Sequence, residues 1–250
     1  MVKGSGGRAV KASAQHLTFP LRISAFPRKS ALILLSAPIL VTLHRYYGSI
    51  GFYEQSLARF FPNLPADLAG PVFMFFSAFL LLGIIPFVLV KFIFRDRLSS
   101  YGVQLGDLRW AMFALIILLP IIALLLIPSA RMESFRSVYP FYQKAGQSVS
   151  GFIFYELLRG VFFYTAWEFF FRGFMFQGLR ESLGDWNALI VQIIPSCLWH
   201  IGLPDGEIFG SIAGGFLFGL LVLRTNSLLS AILLHWGIGI VLDAFIILGI

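Results

Sequence analysis

Residues 109–129 read RWAMFALIILLPIIALLLIPS, an apolar run of membrane-spanning length. The hydrocarbon core of a bilayer is about 30 Å thick, and a helix needs about 20 residues to cross it. The rest of the chain matches this run. Of 250 residues, 58% are hydrophobic and 12% are charged, whereas soluble domains are about one quarter charged. This composition, with a mean hydropathy of +0.84, excludes an ordinary soluble domain.

Seven apolar runs of comparable length follow one another along the chain. Each must be helical, because lipid cannot hydrogen-bond exposed backbone groups. The runs are 29–47, 71–94, 109–129, 151–180, 186–203, 207–224 and 227–249. We therefore predict an all-α fold, a polytopic transmembrane helix bundle of about seven spans. The fourth run is too long for one straight span and is expected to tilt or protrude.

The basic residues predict the orientation and the surroundings of the chain. The net charge is +7, but the basic residues gather in the first 30 positions and beside apolar runs. That distribution fits an anionic lipid surface and no nucleic acid. With the N-terminus in the cytosol, the cytosolic segments hold twelve Lys and Arg and the outer loops five. Cytosolic loops carry the excess of positive charge, so we expect an integral, multi-pass protein with a cytosolic N-terminus.

The ionisable residues divide the chain into three parts. Residues 1–30 are predicted to be a basic cytosolic tail. Residues 31–149 read as scaffold transmembrane helices, since almost nothing ionisable lies at depth there. Residues 150–250 hold the polar residues and are predicted to be the functional core.

Charged and titratable side chains inside a bilayer cost about 2.5–3.5 kcal/mol each, and by default they indicate function. Glu168 and Arg172 are four residues apart, so they share a helix face. They form either a neutralising ion pair or a general base with its partner. His235 and Asp243 also share a broad face of one helix. Like His200, they could be buried structural groups.

An acid and two histidines on three successive spans resemble a water-activating site. Such chemistry needs a base for the water proton and donors for the oxyanion. Zinc is an alternative, because Glu168, His200 and His235 include the ligand types of an open zinc site. The sequence contains no H-E-x-x-H motif, and the three candidates come from three helices.

Three motifs resemble those of a known family, the CAAX-processing and bacteriocin-immunity membrane proteases, also called the CPBP or Abi family. The family motif E-E-x-x-x-R-G is matched by WEFFFRG at 167–173. For the motif F-x-x-x-H, Ser196 stands four residues before His200. For the motif H-x-x-x-N/D, His235 is followed by Gly239. The resemblance covers roughly 150–247.

The chain departs from the family pattern at three positions. Trp167 replaces the first glutamate, the one usually assigned to catalysis, and Glu168 matches the second. Ser196 replaces the phenylalanine of the second motif. Gly239 stands where Asn or Asp is expected, and Asp243 is the nearest carboxylate. The chain is similar to a divergent bacterial branch, which implies a bacterial cytoplasmic membrane and a CPBP-like catalytic core at 150–250.

The resemblance implies an intramembrane endopeptidase that cleaves a membrane peptide or protein with a glutamate- and histidine-activated water. Glu168 and His200 would activate the water, His235 and Asp243 would support the oxyanion, Arg172 would order Glu168, and Glu207 would line the mouth of the site. The candidate catalytic residues are therefore Glu168, His200, His235, Arg172, Asp243 and Glu207. The alternative is an inactive family member, serving as a bacteriocin-immunity or membrane interaction protein. A third class is a small-solute transporter, which the lack of a visible repeat disfavours.

Overall fold

The computed structural model describes Met1 and residues 27–250, and it confirms the all-α class. Within these residues no β-strand is present. Seven long helices form the bundle. They are α1 Arg28–Tyr47, α2 Asp67–Phe94, α3 Leu108–Arg131, α4 149–183, α5 185–199, α6 Asp205–Thr225 and α7 Leu229–Leu248. Most of the predicted basic tail, residues 1–30, lies outside the described residues.

Helices α4 and α5 follow each other directly, and Gly184 between them has φ of 74° and ψ of 167°. The chain reverses direction there, because Ser182 contacts Ser30 at the start of α1 whereas Ile201 contacts Arg45 near the end of α1. Glycine suits this position, because a positive φ is sterically costly for residues with a Cβ. Two stretches of α4, Arg159–Tyr164 and Phe169–Gln177, are π-helical. Wide turns of this type often occur at functional sites.

Five of the seven helices are long and apolar enough to cross a membrane, namely α1, α2, α3, α6 and α7. Helix α4 carries four charged residues in its interior, and α5 is short. These five helices make the chain an integral membrane protein. The observed helices cover all seven predicted runs, with ends that differ by a few residues.

The helix ends meet at two opposite faces of the bundle. Helix α1 begins at the first face and ends at the second, and the following helices alternate in direction. Ion pairs at the first face are Lys29–Asp96 and Arg224–Asp107. Contacts at the second face are Lys144–Asp67, Arg45 to the Ile201 carbonyl, and Tyr139–Glu207.

The glycines of α6 divide between packing and open space. A Cβ on Gly215 or Gly219 would press into Ile193 or Leu189 of α5, so these two glycines allow the close helix approach typical of small residues in membranes. A Cβ on Gly210 would meet nothing within 4 Å. That side of α6 instead borders a cavity.

Candidate functional site

A cavity of about 370 Å³ lies between helices α3, α4, α5, α6 and α7. Most of its wall is apolar, from residues such as Leu126, Leu217 and Leu242. One end is polar and contains the titratable and hydroxyl-bearing side chains of the lining. These are Arg159, Tyr164, Arg172, Ser196, His200, Glu207 and His235. A water-sized void of about 30 Å³ adjoins this end. Such a cavity can hold an apolar chain segment beside a few polar groups.

Glu168 connects two other candidate residues. Its Oε1 accepts a hydrogen bond from Nδ1 of His235 at 2.6 Å, and its Oε2 lies 3.2 Å from Nε of Arg172. The predicted ion pair between Glu168 and Arg172 is therefore present. Glu168 is fully buried, and it does not line the cavity. Its charge is directed at His235 and Arg172.

His235 is oriented by three contacts. The bond to Glu168 requires that Nδ1 carry the proton, because a carboxylate oxygen can only accept. The imidazole stacks on Phe218 at 4.9 Å and packs on Tyr164 at 4.5 Å between ring centroids. The side chain is 21% exposed, and its Nε2 has no partner within residues 27–250. The ring thus presents a fixed nitrogen to the cavity.

His200 directly follows helix α5 and is fixed in a similar way. Its Nδ1 donates to the backbone carbonyl of Ser196 at 2.7 Å, so Nε2 is the unprotonated acceptor of the neutral ring. That Nε2 lies 3.8 Å from Oε1 of Glu207. The edge of Trp167 packs against the imidazole, with ring centroids 5.5 Å apart.

Glu207 lies in the first turn of α6 and lines the cavity. Its Oε1 accepts a hydrogen bond from the Tyr139 hydroxyl at 2.6 Å. Tyr139 belongs to the loop before α4. Burial, and next the Glu207 carboxylate, raise the pKa of Tyr139 well above its ordinary value. The phenol therefore keeps its proton and remains a donor to Glu207.

A second buried charge cluster lies beside the cavity. Arg159 bonds Oδ2 of Asp243 at 2.7 Å and lies 3.6 Å from Glu156. Asp243 is fully buried and does not line the cavity. It faces α4, as does His235, but its partner is Arg159. Asp243, which was expected to support the oxyanion beside His235, is thus paired with Arg159 outside the cavity lining.

Aromatic rings occupy the space at two of the positions that depart from the family motifs, Trp167 and Gly239. Trp167 is 2% exposed and packs against Phe163, Phe171 and Trp199 as well as His200. At Gly239, a Cβ would collide with the Tyr164 hydroxyl. The space that a side chain would need at position 239 is therefore occupied by a phenol.

The three residues offered as zinc ligands do not fit a metal centre. Within residues 27–250, no group of three His, Cys, Asp or Glu side chains is close enough to hold a metal ion. Glu168 already accepts a hydrogen bond from His235, and Nδ1 of His200 is directed at a backbone carbonyl. Both oxygens of Glu168 face His235 and Arg172, and a shared ion would have to break these contacts.

Tyr139, Tyr164 and Arg159 line the polar end, and sequence reasoning gave them no role in the site. Tyr139 lies in a loop, where no periodicity predicts its direction. Tyr164 is four residues before Glu168, so their shared helix face was the available signal. Arg159 was visible as a charge at depth beside Glu156.

Comparison with known proteins gives one finding. Residues 149–241 match a protein-family model described as "Rce1-like: Type II CAAX prenyl endopeptidase Rce1-like". The matched segment runs from the start of α4 into α7 and includes both histidines and Glu168. Neither the curated proteins nor the solved structures contain a match to the chain.

Proposed function

Residues 149–241 belong to the Rce1-like type II CAAX prenyl endopeptidase family, and from this membership and the cavity we propose that the protein is an intramembrane endopeptidase. One observation carries the proposal. His200 and His235, from two different helices, line the same cavity. Both rings are held by their Nδ1 atoms. This leaves two Nε2 atoms for substrate and water.

The cavity wall supports an apolar peptide as the substrate. A segment with aliphatic side chains can pack on α3 and α6, where leucines and glycines form the wall. The scissile carbonyl would then lie at the polar end. We propose a membrane peptide or protein with a CAAX-like C-terminus as the substrate class, which is the class in the family description.

In the proposed reaction the two histidines have different roles. Nε2 of His200 accepts a hydrogen bond from the attacking water and orients it. The carbonyl oxygen lies toward His235 and Tyr164, and the Tyr164 phenol donates to the oxyanion. His235 donates from Nε2 when the Glu168 carboxylate stabilises its doubly protonated form. Glu168 and Arg172 are positioning residues. Glu168 keeps the proton of His235 on Nδ1, and Arg172 neutralises the Glu168 carboxylate.

One observation favours the second candidate, an inactive member that acts in immunity or interaction. Trp167 fills the position of the family's first glutamate with a buried ring. In that case the site would serve packing alone. This candidate predicts that substitutions of His200 and His235 leave the protein's effect in cells unchanged.

The test is proteolysis by the purified protein in liposomes. Farnesylated and unmodified CAAX peptides would be incubated with the wild type, His200→Ala and His235→Ala, and the products would be identified by mass spectrometry. We expect cleavage by the wild type and a loss of about 10²–10⁴-fold in each variant. Equal cleavage by both variants and the wild type would refute the assignment.

A further inference from the structure

We infer that Glu207 is the general base of this site, in place of the carboxylate that Trp167 has displaced. This inference rests on the proposed endopeptidase function. It assigns the proton transfer to a residue on α6, outside the motif that contains Glu168. Three observations support it, namely the cavity lining, the hydrogen bond that fixes Glu207 and the gap between Glu207 and His200.

The first observation is the position of Glu207 in the cavity lining. Among residues 27–250, Glu207 is the carboxylate that lines both the cavity and the adjoining void. A general base must come within hydrogen-bond reach of the proton that it removes. Glu168 is fully buried behind His235 and Arg172. Asp243 is fully buried beside Arg159. Neither meets that requirement.

The hydrogen bond from Tyr139 is the second observation. The Tyr139 hydroxyl donates to Oε1 of Glu207 at 2.6 Å and fixes the carboxyl group at the polar end of the cavity. Oε2 is buried and has no hydrogen-bond partner within the described part of the chain. Oε1 keeps a second lone pair, which can accept a hydrogen bond from a water in the cavity.

The gap between Glu207 and His200 is the third observation. Nε2 of His200 and Oε1 of Glu207 are 3.8 Å apart, which is too long for a direct hydrogen bond. Both atoms are acceptors, since Nδ1 of His200 carries that ring's proton. A water molecule donates two protons, so one water can bridge two acceptors across such a gap. Its oxygen lone pairs then remain free for attack on a carbonyl carbon.

All atoms and protons of the resulting hydrolysis are accounted for. The water oxygen bonds to the carbonyl carbon while one of its protons passes to Glu207, which gives a tetrahedral oxyanion. The oxyanion collapses, the C–N bond breaks, and Glu207 returns the proton to the leaving nitrogen. The products are a carboxylic acid, which ionises, and an amine. Glu207 ends in its starting state, and no further reactant is required.

The experiment measures kcat and KM for the CAAX peptide cleavage described above. Glu207→Gln keeps the shape and removes the base, and we expect kcat to fall about 10²–10⁴-fold with KM little changed. Glu207→Ala is assayed with and without formate, a small carboxylate that fits the vacated space. We expect formate to raise its kcat at least about tenfold. Asp205→Asn is the matched control, because Asp205 is in the same helical turn but does not line the cavity.

Each outcome decides the question. A Glu207→Gln variant that retains more than about one tenth of kcat, or a Glu207→Ala variant insensitive to formate, overturns the role of Glu207. If His200→Ala and His235→Ala are still inactive in that case, the endopeptidase function stands without Glu207 as its base. Should Glu207→Gln fail to fold, the formate response of Glu207→Ala decides. Undiminished cleavage in both histidine variants overturns the proposed function itself.

Discussion

Replacing Glu168 with glutamine tests how the buried charges support the site. Glutamine keeps the shape and a carbonyl that can accept from Nδ1 of His235, but it removes the negative charge. Arg172, which is 2% exposed, is then left without a counterion. Removing one partner of a buried ion pair destabilises a protein by about 3–5 kcal/mol. At about 2–4 °C per kcal/mol for a chain of this size, the melting temperature should fall by roughly 6–20 °C.

The assay is thermal unfolding in detergent micelles, followed by circular dichroism, together with cleavage kinetics. The double variant Glu168→Gln/Arg172→Met removes the unpaired charge and should recover most of the lost stability. Its kcat should stay low, by about 10²–10⁴-fold, because His235 has lost the carboxylate that stabilises its charged form. KM should be nearly unchanged, since Glu168 does not line the cavity.

Two results would refute this reasoning. A single variant as stable as the wild type would show that the Glu168–Arg172 pair does not neutralise a buried charge. A double variant that remains as unstable as the single variant would show that the loss has another origin. Recovery of kcat together with stability would make Glu168 a structural residue with no influence on His235.

The remaining predictions concern helix packing and acid stability. Gly219→Ala should cost about 1–3 kcal/mol by overpacking, because the new Cβ meets the buried Leu189. Gly210 lies on the same helix, but a Cβ there meets open space. Gly210→Ala should therefore fold with unchanged or higher thermal stability. For Asp96, burial raises the pKa and the bond to Lys29 lowers it, with a net lowering. Its stabilising effect is therefore present above the ordinary carboxyl pKa and lost as the pH falls through the lower folded value. Asp96→Asn should reduce the melting temperature at neutral pH and leave it unchanged at about pH 2, and a deficit that persists at low pH would contradict the assignment.

The sequence predicted the helices well because lipid leaves few alternatives. An apolar run of membrane-spanning length must be helical, and the runs 109–129 and 227–249 lie close to α3 and α7. The i, i+4 spacing of Glu168 and Arg172 predicted their ion pair. Both predictions rest on local geometry, which the order of residues determines directly.

The contacts between helices could not be predicted in the same way. Spacing placed Asp243 and His235 on one face of α7, but the rotation of α4 decides that Asp243 meets Arg159 and His235 meets Glu168. Tyr139 reaches Glu207 from a loop, where no helical period applies. The break at Gly184 is likewise a matter of backbone dihedral angles, which composition does not reveal.

Two of the three departures from the family motifs, Trp167 and Gly239, have a common physical consequence. Each places an aromatic group beside a histidine, Trp167 against His200 and Tyr164 against His235. Near these rings Glu207 lines the cavity, and the Tyr139 hydroxyl holds its carboxyl group, a costly group in a low-dielectric environment. Packing alone gives no reason to maintain that group or to support it with a hydroxyl from a separate loop. A water-activating role gives the reason, because a base must be desolvated and oriented before its substrate arrives.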